Sequence, residues 1–211
     1  MLVFNNFEKS YSDALVIKTK EFRLEKGVYW LKGINGSGKS TLIKAAAGLI
    51  SFKGNILLDN ISLKKFPTIY KRKINFADAE PLFPEFLTGN EMIKLFIDAK
   101  EGSQKDTEEF IINMQMQHYL QSPIGSYSSG MLKKLSLILA FIGTPDWILL
   151  DEPFITLDSD SLIAIQHQIN HLYKKSNIGF LFSSHQIDNL HNLSLSDEII
   201  IENKMIKKSS K

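Results

Sequence analysis

The 211-residue chain contains no cysteine. This excludes a disulfide scaffold, a thiolate metal centre and a cysteine nucleophile. Long apolar runs are absent too. The longest nearly apolar stretch covers 135–143, far short of the roughly 20 residues that cross a bilayer. The opening Met1-Leu-Val-Phe-Asn-Asn has no basic segment followed by an apolar one, so no signal peptide is expected. Charge of one sign is missing: 25 Lys and Arg face 23 Asp and Glu, a net +2. Such a balance does not draw a chain to nucleic acid or to a membrane surface, and no nucleic-acid partner is expected. There is no repeat and no low-complexity tract. What remains is ordinary globular composition, 44% hydrophobic and 23% charged. At roughly 150 residues per domain, the length suits one domain, or one domain with an inserted subdomain.

Along the chain, residues 2–7 and 13–19 read as strands separated by a polar turn at 8–12. Gly27 opens a strand, Val28-Tyr-Trp-Leu31, followed by a glycine-rich stretch and a helical pattern at Leu42, Ala45, Ala46 and Leu49. Further strands are expected at 54–58 and 73–77, with a proline-containing loop at 78–89. Helical spacing then appears over 90–99, 106–119 and 131–142. Trp147-Ile-Leu-Leu150 and Ile178–Phe182 are continuous apolar runs, the mark of strands buried on both faces. A helix is expected between them at 157–173, a short one at 185–191, and a closing hairpin at 198–208 that turns at Asn203-Lys204. The pattern is α/β: a mainly parallel core sheet, antiparallel strands near the N-terminus, and a helical insertion at about 88–140.

Chemistry is concentrated in a few places. Gly33-Ile-Asn35-Gly36-Ser37-Gly38-Lys39-Ser40-Thr41 follows a strand and opens a helix. Glycines let such a loop fold tightly, so that its N–H groups face phosphate oxygens. The helix N-terminus adds partial positive charge. Lys39 is placed for the β- and γ-phosphates and Ser40 for Mg²⁺. Asp151 and Glu152 end the apolar strand 147–150, at the carboxyl edge where ligands of parallel sheets sit. Asp151 suits Mg²⁺, and Glu152 suits deprotonation of an attacking water. His167 and His171 have a metal-compatible spacing, but no third ligand is evident and no metal is expected there. The lysines at 204, 207, 208 and 211 read as a solvated end.

With these motifs in this order, the chain resembles the ATP-binding subunit of ABC transporters over essentially its whole length. The resemblance implies a P-loop NTPase core, a single ATP-binding domain over 1–211 with a helical insertion at about 88–140, and ATP with Mg²⁺ as cofactors. Tyr127-Ser128-Ser129-Gly130-Met131 stands where the family carries its signature, usually LSGGQ, with Ser129 in place of a glycine and Met131 in place of glutamine. In the family this segment closes onto ATP held by the other subunit. Ile155-Thr-Leu-Asp158 resembles the D-loop, and Asp158 is also a candidate N-cap of the helix that follows. Phe180-Leu-Phe-Ser-Ser-His185 resembles the H-loop, with His185 toward the γ-phosphate. Tyr11 takes the place of the aromatic that stacks on adenine, with Phe4 and Phe7 as nearby alternatives. The usual glutamine after strand 73–77 is absent, and Asp78, Ala79 or Glu80 takes its place. The aromatic-rich 82–89 then leads into the insertion and suits a groove for a membrane partner.

The expected function is therefore ATP hydrolysis that powers a separate membrane-spanning transporter, with two ATP-binding subunits, identical or different, sandwiching two nucleotides. Such a subunit sits on the cytoplasmic face of the membrane through its partner. Its short chain and Ser-Ser-Gly-Met variant look more like those of exporters. Two other readings stand beside it: a soluble ABC-type ATPase with an assembly or scaffold role, and a small-molecule kinase that shares only the phosphate loop.

Overall fold

The computed structural model of the protein describes residues 1–185 and 190–209. The elements run in the order β1 (Leu2–Tyr11), β2 (Ala14–Leu24), β3 (Val28–Lys32), α1 (Lys39–Ala46), β4 (Lys53–Leu58), β5 (Ile61–Ser62), α2 (Pro67–Arg72), β6 (Ile74–Ala77), α3 (Gly89–Lys100), α4 (Gln104–Asn113), α5 (Ser129–Ala140), β7 (Trp147–Leu150), α6 (Ser159–Ser176), β8 (Gly179–Ser183), β9 (Asp197–Glu202) and β10 (Met205–Lys208). All ten strands form one sheet, in the order β5-β4-β1-β2-β10-β9-β3-β8-β7-β6. The five strands β9-β3-β8-β7-β6 pair in parallel throughout. The strands β5, β4, β1 and β2 pair antiparallel. A single residue pair, Met205 with Lys18, joins the two halves through β10.

Two-residue alternation in the parallel strands builds two cores. Val28 and Trp30 of β3, Ile148 and Leu150 of β7, and Phe180 and Phe182 of β8 face the core that receives α3, α4, α5 and α6. Tyr29 and Leu31, Trp147 and Leu149, and Leu181 face the other, shared with α1, Tyr70 of α2 and the N-terminal strands. Both faces are thus covered, which is why β7 and β8 read as unbroken apolar runs. The consequence for function is at the strand ends. β3, β6, β7 and β8 point the same way, so the residues after Lys32, Ala77, Leu150 and Ser183 emerge along one edge.

The α/β architecture and the closing hairpin agree with expectation. Three local features differ from it. The first hairpin turns at Ser12-Asp13, not over 8–12, because β1 continues through a register shift between Lys9 and Ser10. The helix expected over 106–119 is α4, which ends at Asn113, and Gln115 has φ 56°. Such a φ breaks the helical path. The segments α2 and β5 were not foreseen. The helix expected over 185–191 falls mostly on 186–189, outside the described residues.

Tyr70 ties α2 to the helix behind the glycine-rich loop. It is fully buried, and its hydroxyl donates to the Ala46 carbonyl at 2.9 Å. Tyr70→Phe leaves that buried acceptor unpaired and is expected to cost about 1–2 kcal/mol. The urea midpoint should fall accordingly; an unchanged midpoint would show that the bond contributes nothing.

Candidate active site

The loop after β3 folds as the glycines permit. Gly36 has φ 77° and Gly38 φ 107°, conformations that side chains resist. A Cβ on Gly38 would also lie 3.0 Å from Val16 of β2. Gly38 is the N-cap of α1, and no side chain caps that helix. The contrast with α3, α4, α5 and α6 is informative. Thr88, Ser103, Ser128 and Asp158 cap those four with a side-chain oxygen. The first N–H groups of a helix lack intrahelical acceptors, so α1 keeps its donors for an external anion. Lys39 is buried, and its ammonium donates to the carbonyls of Gly33 at 2.8 Å and Ile34 at 3.2 Å. Burial lowers its pKa, opposed by the charges of Glu152 and Asp151.

Opposite the loop, Asp151 leaves β7 almost wholly buried. One of its oxygens accepts from Ser40 of α1 at 3.0 Å and from Ser183 of β8 at 2.7 Å. The other oxygen is buried and has no partner among the described residues. Glu152 follows with φ 45°. Its N–H donates to the Ser183 hydroxyl at 2.9 Å, and His185 Nε2 stands 3.2 Å from its Oε1. Its Oε2 is again buried without a partner among the described residues, as is the Ser37 hydroxyl in the loop. Buried charges are ordinarily compensated. Two unpaired carboxylate oxygens beside a free hydroxyl are what a hard cation and a phosphate would complete. Ser40 and Asp151 therefore fit a Mg²⁺ ion, and Glu152 faces the same space.

The structure thus gathers the loop residues, Asp151, Glu152 and His185 at one edge. Ser128, Ser129 and Gly130 begin α5 separately. The Ser128 hydroxyl accepts from Met131 N–H at 3.3 Å, so it caps the helix. A Cβ on Gly130 would lie 3.3 Å from the Thr156 carbonyl. Asp158 caps α6 through Ser161 N–H at 2.9 Å and pairs with Lys134 of α5 at 2.6 Å. Tyr11 is 52% exposed at the end of β1, with the Lys9 ammonium 4.5 Å above its ring, whereas Phe4 and Phe7 are core residues. Asp78 pairs with Lys44 of α1 at 3.0 Å, while Glu80 is exposed. The rings of His167 and His171 stack at 6.1 Å.

Two residues in this cluster were not foreseen. Ser183 bridges Asp151 and Glu152; a hydroxyl ending an apolar strand was its signal. Lys133, one helical turn before Leu137 in an apolar helix, is buried and donates to three main-chain carbonyls. Burial pushes its pKa down to about 8, against the charges of Asp151, Asp78 and Glu152.

A model of the ABC transporter family matches residues 17–155. The chain belongs to the ABC transporter family. Within that family it is an ATP-binding subunit and an ATPase. It is similar over 99% of its length to the solved structure of an ATP-binding subunit of an ABC transporter, with TM-score 0.89 and 26% identity over 89% of that chain. A bacterial ABC transporter cassette solved as a dimer gives TM-score 0.84 at 20% identity, with both chains fully covered. The same cassette in a post-hydrolysis state with ADP and Pi gives 0.82 at 20% identity, again with full coverage. At that identity the likeness is one of fold. Among the described residues no helix is long and apolar enough to cross a membrane.

Asp158 offers a test of the local electrostatics in this ABC family chain. Partial burial pushes its pKa up, but hydrogen bonds from Lys134 and Ser161 overcome this and hold it at about 2. A carboxylate depressed on folding stabilises the protein above its unfolded pKa and loses that contribution as pH falls through the folded one. Asp158→Ala is expected to lower stability at pH 7 by about 1 kcal/mol through the lost cap. The gap between the two proteins in a denaturant titration should close as pH drops from 4 toward 2; a constant gap would contradict the pairing.

Proposed function

We propose that ATP hydrolysis by this chain drives a separate membrane-spanning transporter, with a second ATP-binding subunit acting beside it. The observation that carries the reading is the cluster at the strand ends: an uncapped, glycine-led helix facing two buried carboxylates that each have one unpaired oxygen. In this reading residues 1–211 form one ATP-binding domain with a helical insertion at about 88–140. The loop N–H groups and Lys39 hold the triphosphate. Tyr11 stacks on the base. Ser40 and Asp151 would hold Mg²⁺, which would supply charge neutralisation on the phosphates.

Glu152 then takes a proton from water as its oxygen attacks the γ-phosphorus in line with the departing ADP. Negative charge that builds on the phosphate oxygens meets donors already in place, which lowers the barrier without reorganisation. His185 orients the Glu152 carboxylate from 3.2 Å and reaches the γ-phosphate. Ser128, Ser129 and Gly130 serve the nucleotide of the partner subunit, and Asp158 lies at the same junction. An exposed helix N-terminus at Ser128 suits that task, because its N–H groups attract phosphate.

The membrane partner is supported by the loop that follows β6. Leu82 is 96% exposed and Phe86 81%, large apolar side chains in water next to the nucleotide edge. Adjacent exposed apolar groups of this size mark interaction sites. The subunit would sit at the cytoplasmic face through this contact. Export is the direction we propose, on the Ser-Ser-Gly-Met variant of the signature.

Glu152→Gln should retain ATP binding and lose turnover by roughly 10²–10⁴-fold, the usual contribution of a positioned base. Phosphate release in the purified protein measures this. A variant as fast as the wild type would refute the assignment. The same variant should elute as a dimer in ATP and as a monomer without it.

A further inference from the structure

One buried ammonium joins three segments that the proposed reaction uses separately. Lys133 is 1% exposed. Its Nζ donates to the carbonyls of Asp78 at 2.8 Å, Ala79 at 3.3 Å and Asp151 at 3.0 Å. An ammonium has three N–H donors, so the group is saturated. The side chain belongs to α5, whose first turn carries Ser128–Gly130. Asp151 is the buried acid beside Ser40. Asp78 and Ala79 are the root of the loop that exposes Leu82 and Phe86.

The sheet does not make this connection by itself. The last bond between β6 and β7 runs from Asp151 N–H to the Ala77 carbonyl at 2.9 Å. Beyond it, Asp78 and Ala79 leave the ladder, and Lys133 is what ties them to the acid. On the far side, the Asp78 carboxylate is held by Lys44 of α1, the helix that begins with Lys39 and Ser40. The loop root is therefore pinned by two lysines, one from the phosphate-facing helix and one from the helix of the signature segment. A buried cation is costly unless its partners compensate it. An apolar residue in its place would leave three carbonyls unpaired.

We propose that Lys133 is a positioning residue that transmits occupancy of the ATP site to loop 78–87, because a single ammonium bonds both the carbonyl of Asp151 and the carbonyls at the root of that loop. A cation engaging the open oxygen of Asp151 would move the strand end, and the shared donor would carry the loop root with it. The compact ammonium, whose three protons can rotate, follows such a movement. The inference rests on the proposed ATP site and adds a coupling element to it.

Hydrogen–deuterium exchange on the full chain, with and without saturating Mg²⁺ and a non-hydrolysable ATP analogue, tests this. Saturation is verified by calorimetry on each protein. In the wild type, exchange of peptides covering 78–87 should change at least about fivefold on nucleotide addition, the lower end of ordinary coupling. In Lys133→Met that response should be lost while the glycine-rich loop at 33–41 remains protected by nucleotide. Lys133→Gln keeps two N–H donors and should show a reduced response; it decides the question if the Met variant does not fold. A response at 78–87 equal to wild type in either nucleotide-saturated variant overturns the proposal, as does a wild type that binds nucleotide with no response there. A wild type that takes up no nucleotide overturns the site reading itself, and the coupling with it.

Discussion

Everything at the functional edge depends on the burial of one carboxylate. Asp151 ends a strand enclosed on both faces, so its charge is nearly out of water. Such a group is tolerated only where donors and positive charge surround it. The fold supplies them from neighbouring strands. β8 lies between β3 and β7, about 5 Å from each, as paired strands do. Ser183 on β8 thus bonds Asp151 from one side, and Ser40, at the start of the helix after β3, bonds it from the other. Both donors converge on a single oxygen. The second has no partner among the described residues, and in the glycine-rich loop Lys39 lies folded against the carbonyls of Gly33 and Ile34. In the proposed ATP site, a cation and an anion would complete that compensation.

The same constraint explains the lysines around the site. Lys39, Lys44 and Lys133 approach Asp78, Asp151 and Glu152 from three different helical positions, and none of these pairs is an isolated surface contact. Lys44 holds the Asp78 carboxylate, Lys133 holds the main-chain carbonyls of Asp78, Ala79 and Asp151, and Lys39 holds those of Gly33 and Ile34. The family's usual glutamine is absent here, with Asp78, Ala79 or Glu80 in its place, and of these Asp78 is tied to α1 through Lys44. Leu82 and Phe86 follow in the same loop.

Much of this was legible in the sequence, for identifiable reasons. The parallel core showed itself because strands covered on both faces must be apolar throughout, as in Trp147–Leu150 and Gly179–Ser183. The loop at 33–41 was legible because its glycines and lysine have one economical use. What escaped was set by context. Helix α2 is six residues long with proline at its start, too short to display a helical period. The end of β1 looked like a turn because Glu8, Lys9 and Ser10 are polar, yet the strand runs on through an irregular register. Among the three candidate aromatics, pattern could not separate Tyr11 from Phe4 and Phe7; packing does, since both phenylalanines lie in the core. Lys133 was invisible because its partners are main-chain carbonyls, which every residue has and no sequence distinguishes.

The central claim is that Ser40 and the open oxygen of Asp151 receive a metal ion carried by a triphosphate on the loop at 33–41. Anomalous scattering from crystals of Glu152→Gln grown with ATP and Mn²⁺ locates that ion directly. The account predicts one manganese peak within coordination distance of the Ser40 hydroxyl, beside Asp151, with the nucleotide's phosphates against the N-terminus of α1. A manganese peak elsewhere, or phosphates bound away from that helix, would contradict it.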